Sequence, residues 1–306
     1  MHLGTVTCEG RERVVAAVDE TQMLDLHKAA ELAGMDGTPF VDMLALIHAG
    51  EAALTDARTL LATPDPQALL KLAEVRFCPP LMPVQYRDCL VFETHLFNCL
   101  KAFGQPDPQL PPVWYDQPIY YKGNRMSFIG HGQDVIWPSY AEHLDLELEM
   151  AIVVGKQGKD IPADKSADYI FGYTILNDVS ARDAQMKEMP GQLGPAKGKD
   201  FDTGNILGPW ILTADEVSHP VGFDMEVRVN GERWGGGNSG RMQHDFGAIL
   251  AHISASETLY PGEVIGSGTV GTGCGLELGK RLAPEDVFEL EIENIGILRN
   301  RIVKEG

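Results

Sequence analysis

Hydrophobic and polar positions alternate near the N-terminus as they do in strands. Val14, Val15, Ala16, Ala17 and Val18 follow the turn-like Glu9-Gly10-Arg11, and the pattern predicts a hairpin. Phe40, Met43, Leu44 and Ile47 then recur at i, i+3, i+4 and i+7, with Thr38-Pro39 offering an N-cap and a first-turn proline, so a helix is expected there. A second helix is expected over 51–62, and a third after Thr63-Pro64-Asp65 as far as Leu72. Pro79-Pro80-Leu81-Met82-Pro83 interrupts any helix, and a domain break is placed near residue 75. Beyond it, 86–102 has helical character, and 104–125 is rich in Pro, Gly and aromatics, as suits a loop that shapes a pocket. From 144 onward short strands alternate with turns, over 144–154, 169–176, 208–212, 223–229 and 287–292. A glycine-heavy stretch lies at 235–237, and helices are expected only at 181–186 and 246–256. The whole reads as an α+β chain, with a small N-terminal α/β domain (1–75) before a larger β-rich domain (76–306).

One strand carries candidate chemistry. In 144–150, Leu144, Leu146, Leu148 and Met150 share one face, and Asp145, Glu147 and Glu149 share the other. Same-face neighbours on a strand stand about 6.5–7 Å apart, close enough for two carboxylates to converge on one cation. A solvent-facing acidic strand would alternate in the same way. The continuation Ala151-Ile152-Val153-Val154 argues instead for burial on both faces, where acids need a partner. Oxygen-only ligation points to Mg²⁺, Mn²⁺ or Ca²⁺.

A second candidate is the elbow where the strand 173–176 turns through Asn177-Asp178-Val179-Ser180 into a helix. Asp178 is either a helix cap or a further ligand at a strand's end. On a helix, Arg182 and Gln185 would stack with it along one face; the alternative is an ordinary Asp178–Arg182 surface pair. Asp88 and His95 lie seven residues apart, about 10 Å along the axis if the segment were helical throughout. That separation divides their roles, Asp88 for a metal and His95 for a base, although a lone histidine is often structural.

A chain of 306 residues, 44% of them hydrophobic, can bury a substantial core. Its formal net charge of −19 excludes a nucleic-acid binder of the usual kind, which needs a cationic face. No apolar run approaches the roughly 18 residues of a membrane span, and the first residues form no apolar signal core, so a cytoplasmic protein is expected. The five cysteines (Cys8, Cys78, Cys89, Cys99, Cys274) are odd in number and form no CxxC pair. They read as small buried hydrophobes rather than as a disulfide framework or a thiolate zinc site. The glycines of 271–275 lack the strand-then-helix setting of a nucleotide loop.

Asp88…His95, Glu147-Leu148-Glu149, Asn177-Asp178-Val179-Ser180-Ala181-Arg182-Asp183 and Gly198-Lys199-Asp200-Phe201 occur in that order. With Tyr120-Tyr121-Lys122-Gly123, Gly266-Ser267-Gly268-Thr269, Gly275-Leu276-Glu277-Leu278 and the closing Ile295-Gly296-Ile297-Leu298-Arg299-Asn300, the chain over roughly 77–303 resembles the fumarylacetoacetate hydrolase family. The resemblance implies a C-terminal mixed β-sandwich roll, a small N-terminal domain and a homodimer. It implies a divalent cation, Mg²⁺ first and Mn²⁺ or Ca²⁺ as alternatives, held by Asp88, Glu147, Glu149 and Asp178. By the same transfer His95 would activate water with Glu277 orienting it, while Arg182, Gln185 and Lys199 would stabilise the developing oxyanion. Tyr121 and Thr269 would hold the substrate. The implied activity is metal-dependent hydrolysis of the C–C bond of a β-diketo acid from aromatic catabolism, such as fumarylpyruvate, maleylpyruvate or fumarylacetoacetate. The scaffold's alternatives are 2-oxo acid decarboxylation or tautomerisation, and a catalytically silent metal-binding protein is the remaining reading. Two positions depart from the pattern of hydrolases close to the animal enzyme: Leu90 stands where they carry a tyrosine and Gly104 where they carry an arginine. Both departures bear on the acyl group.

Overall fold

In a computed structural model, which describes residues 1–304, the N-terminal hairpin forms as expected, β1 (His2–Cys8) with β2 (Arg11–Ala17). β3 (Gln22–Asp25) adds to β2 and runs into α1 (Leu26–Leu32), capped by Asp25. The next helix, α2 (Met43–Ala62), is capped not by Thr38 but by Asp42, which accepts from the Ala45 amide at 2.7 Å. Thr38–Phe40 is a separate 3-10 turn. The two helices expected over 40–62 are joined end to end across Gly50, whose φ of 66° breaks the helical path and suits glycine. The third expected helix does not form. Its residues make a 3-10 turn and then β4 (Leu69–Lys71) on β3, because the segment between the turn residues is too short to hold a helix and the sheet edge takes its backbone.

β5 (Arg76–Phe77) pairs with β1, and β6 (Tyr86–Cys89) is a strand where helical character was expected throughout. Only Glu93–Ala102, α3, is helical there. The loop region 104–125 contains α4 (Pro112–Asp116) and β7 (Tyr120–Lys122), followed by β8 (Phe128–Ile129) and β9 (Asp134–Ile136). The acidic strand is interrupted at Leu146-Glu147, giving β10 (Leu144–Asp145) and β11 (Leu148–Val154). Then come β12 (Ile170–Asp178), β13 (Ser180–Ala181), α5 (Arg182–Glu188), α6 (Ala196–Lys199) and β14 (Asn205–Thr213). β15 (Asp224–Val229), β16 (Glu232–Asn238), α7 (Phe246–Ser254), β17 (Val264–Gly266), α8 (Gly275–Leu278), β18 (Val287–Ile292) and β19 (Gly296–Val303) complete the chain. The glycine-heavy stretch Gly235-Gly236-Gly237 lies within β16: a side chain at Gly235 would meet the Thr272 carbonyl at 2.1 Å.

The main sheet runs β4-β3-β2-β1-β14-β12-β11-β17-β6-β7, with β5 on β1 and β8 on β14. A second sheet runs β16-β15-β18-β19-β9. β1 joins the N-terminal strands to β14, so the sheet continues across residue 75. The face alternation of the acidic segment survives its interruption: Leu144, Leu146, Leu148, Met150 and Ile152 pack into the core between the sheets. Ala151 and Val153, on the opposite face, pack with Leu46, Ile47 and Leu54 of α2. Among the described residues no helix is long and apolar enough to cross a membrane.

Candidate active site

Three carboxylates converge from neighbouring strands. β6 brings Asp88, paired in register with Gly266 of β17, and β11 brings Glu149. β12 ends on Asp178. One oxygen from each of the three lies within 4.8 Å of the others, and all three residues are buried. The strand between Asp88 and Glu149 ends at Gly266, where a Cβ would stand 2.3 Å from Asp88 Oδ1 and 2.9 Å from Glu149 Oε2. The missing side chain is what lets the acids approach. Burial pushes Asp88 well above the ordinary carboxylate range and the charge of Asp178 pushes it further; burial and then Asp88 do the same to Glu149. Burial also raises Asp178, against the pull of Lys199. Asp178 Oδ1 is buried without a hydrogen-bond partner. Three buried acids that repel one another, with an unpartnered oxygen and an all-oxygen donor set, fit a hard divalent cation.

Glu147 stands beside this trio rather than in it. Its carboxylate is held by Lys199 and, at 2.7 Å, by Arg182. Burial opposes its charge, but Lys199 and Arg182 hold Glu147 well below the ordinary range. Lys199 Nζ also donates to Asp178 Oδ2 at 2.6 Å, so one ammonium ties the trio to Glu147. The helix-cap reading of Asp178 fails: α5 begins after Ala181, whose side chain makes no cap, and Asp178 belongs to the strand. Nor do Asp178, Arg182 and Gln185 stack on one helix, or Asp178 and Arg182 form a surface pair. Arg182 turns to Asp145, 2.7 and 2.9 Å away, and donates to Gln185 Oε1 at 3.0 Å.

No motif in the sequence assigns Asp145 a role. It also accepts from the Gly275 and Leu276 amides at 2.8 and 3.0 Å, so it joins Arg182 to the start of α8. Its place on the acid-bearing face of the strand pattern was the one available signal.

α8 carries Glu277, whose Oε1 lies 2.8 Å from His95 Nδ1 on α3. Asn98, also unremarked in the sequence, donates to Glu277 Oε2 at 2.8 Å, as does the Thr272 amide. In the neutral imidazole, with Nδ1–H assigned to Glu277, Nε2 carries the free lone pair. Burial disfavours the charged imidazole, but contacts with Cys274 and Glu277 outweigh it and push His95 up to about 10. Asp88 and His95 are thus on a strand and a helix, not on one helix, and the 10 Å axial separation does not apply. Tyr121 donates to Asp178 Oδ2 at 2.9 Å, and Thr269 to Glu149 Oε1 at 3.4 Å.

A cavity of about 550 Å³ reaches these groups. The acids, His95, Arg182, Gln185, Lys199, Tyr121 and Thr269 line one part, while Leu90, Leu96, Leu100, Phe103, Ile119, Met186 and Leu193 line another. The Pro-rich loop contributes Ile119 to Tyr121, as a pocket-shaping loop should.

Residues 86–303 match the family model described as "Fumarylacetoacetate (FAA) hydrolase C-terminal". The chain belongs to the fumarylacetoacetate hydrolase family. It is 34% identical over 262 residues to the human "Oxaloacetate tautomerase FAHD2A, mitochondrial", an alignment covering 85% of this chain and 79% of that one. Among solved structures of this fold, "5-carboxymethyl-2-hydroxymuconate delta-isomerase from Mycobacterium smegmatis" is similar with a TM-score of 0.73 and 25% identity, over 100% of both chains. The "maleylpyruvate hydrolase from Sphingobium.sp SYK-6" is similar with a TM-score of 0.76 and 23% identity, again over 100% of both, and that likeness speaks for the fold alone. Proteins similar to this fumarylacetoacetate hydrolase family member therefore bear the names of tautomerases, isomerases and hydrolases.

Proposed function

We propose that the chain hydrolyses the C–C bond of a β-diketo acid, an acylpyruvate-type substrate, with a divalent cation, Mg²⁺ in the first place, held by Asp88, Glu149 and Asp178 with Glu147 beside them. The observation that carries this reading is the His95–Glu277 pair at 2.8 Å, whose His95 lines the same cavity as the acids. When bound, the cation supplies Lewis-acid polarisation of the substrate's oxygens and positive charge to offset that of the departing carbanion.

The chain's own residues do the rest. In its neutral form His95 takes a proton from water on Nε2. Glu277 holds the ring and offsets the positive charge that forms on it, while Asn98 and the Thr272 amide fix Glu277. Hydroxide adds to the acyl carbonyl, where Lys199, Arg182 and Gln185 supply cationic and amide donors for the developing oxyanion. As the C–C bond breaks, the proton on His95 passes to the departing carbon, giving two acids. Tyr121 and Thr269 orient the substrate, and the apolar wall from Leu90 to Phe103 receives the acyl chain.

A second reading, tautomerisation of a 2-oxo acid, is favoured by the 34% identity to the human oxaloacetate tautomerase. There the same base would move a proton between carbon and enol oxygen without consuming water. A panel of acylpyruvates, fumaryl- and maleylpyruvate and oxaloacetate, assayed with Mg²⁺ and product identification, separates the two. Cleavage into two acids is expected; keto–enol interconversion or loss of CO₂ without cleavage would sink the hydrolase reading.

A further inference from the structure

His95, Cys99 and Cys274 form a second buried cluster, with one ligand atom from each lying within 4.8 Å of the others. Cys99 follows His95 by one helical turn on α3, so both project from the same face. Its Sγ stands beside the imidazole, 3.7 Å from His95 Nε2 and 3.8 Å from Nδ1. Cys274 precedes α8, with its Sγ 3.4 Å from Glu277 Oε1. Glu277 already holds His95 Nδ1, the outer carboxylate contact that fixes a metal-binding histidine with Nε2 presented. His95 and Cys99 both line the cavity, which gives an ion a route in and leaves a fourth position for water.

We propose that His95, Cys99 and Cys274 constitute a distinct site for a thiophilic divalent ion such as Zn²⁺, and that its occupation switches the enzyme off. The two sites sort metals by softness: the carboxylate trio offers only oxygen, this one nitrogen and sulfur. Each thiol gives up its proton to solvent on binding, so two thiolates neutralise the ion's charge in a buried place. The ion occupies Nε2, the lone pair that takes the proton from water. That inhibitory consequence rests on the reading of His95 as the base; the binding site itself does not.

The test uses Co²⁺ as the spectroscopic probe on the whole protein, with Mg²⁺ in excess to fill the oxygen site. A thiolate-to-cobalt charge-transfer band should appear at one equivalent. It should be lost in Cys99→Ala and Cys274→Ala and retained in Cys89→Ala, a buried cysteine outside the cluster. Zn²⁺ should displace Co²⁺, with affinity in either cluster variant lower by at least the roughly 10- to 100-fold that losing an outer-shell partner costs. Circular dichroism of each variant separates a lost site from a lost fold, and a misfolded Ala variant is replaced by Ser at the same position. No band, or a band that survives both cluster substitutions, overturns the site. A band with substrate turnover unaffected by Zn²⁺ leaves the site standing and overturns His95 as the base.

Discussion

His95 Nδ1 stands 2.8 Å from Glu277 Oε1, so a histidine on α3 is held by a carboxylate 182 positions later in the chain. That contact fixes the tautomer and gives the base its counter-charge. Replacing His95 by Ala should lower kcat by about 10²- to 10⁴-fold, the usual worth of a positioned acid–base group. Glu277→Gln keeps the shape and removes the charge, and kcat should fall by about 10²-fold or more. Calorimetry should find Mg²⁺ affinity little changed in both. Wild-type kcat in either variant would remove the dyad from the mechanism.

The carboxylate trio makes an unusual stability prediction. Asp88 and Glu149 are held well above the ordinary carboxylate range by burial, and then by the charge of Asp178 on Asp88 and of Asp88 on Glu149, so the metal-free protein carries repulsion at neutral pH. Glu149→Gln should raise the melting temperature of the metal-free protein and abolish the further rise on adding Mg²⁺. For the wild type, Mg²⁺ at a hundredfold excess over Kd should add about 2.7 kcal/mol. A variant less stable than the wild type in EDTA would contradict the repulsion.

The same groups set a pH dependence. A carboxyl whose folded pKa is raised contributes stability below its unfolded value, about 4, and loses that contribution as pH rises through its folded pKa. The metal-free protein should therefore weaken as pH climbs from about 4 toward neutrality. Mg²⁺ competes with protons for these oxygens, so its stabilising increment should grow over the same window. Glu147, shifted downward, acts only in stronger acid, where its contribution disappears as pH falls. Melting curves with Mg²⁺ and with EDTA across this range decide the matter, and an increment that shrinks with rising pH would refute it.

Asp145 shows where the sequence stopped being legible. Period-2 alternation put Asp145, Glu147 and Glu149 on one face, and it correctly separated them from the leucines that enter the core. It could not say which acid meets a cation and which meets an arginine, because that depends on α5 and α8 arriving from 37 and 130 residues away. Tyr86–Cys89 is a strand rather than the expected helix for a related reason: its pairing with β17 overrides the local helical pattern. Of the residues the family motifs name, Asp88 and His95 line one cavity and Glu277 reaches it through His95. Asn98 belongs to no motif, and only the fold places it on Glu277. Asp145→Asn should leave the Arg182 guanidinium buried and under-compensated, at a cost of about 3–5 kcal/mol in urea denaturation. A loss within the roughly 0–1 kcal/mol of a surface pair would mean that Arg182 finds its charge balance elsewhere.

Gly266 offers the sharpest test of the trio, because it alters no ligand. The residue closes β17 between the strands that carry Asp88 and Glu149, and a Cβ built there stands 2.3 Å from Asp88 Oδ1, 2.6 Å from Leu176 Cδ2 and 2.9 Å from Glu149 Oε2. Its φ is not in the left-handed region, so backbone strain does not require glycine; the acids do. In Gly266→Ala the methyl must push at least one carboxylate out of the trio, since the other contact is packed core. Mg²⁺ affinity by calorimetry should then fall by tenfold or more, about 1.4 kcal/mol, with all four acids still present. Cleavage of the diketo acid should fall with it, while the His95 to Glu277 contact, which lies on other elements, stays intact. Unaltered Mg²⁺ affinity in a folded Gly266→Ala protein would show that the cation does not sit among Asp88, Glu149 and Asp178.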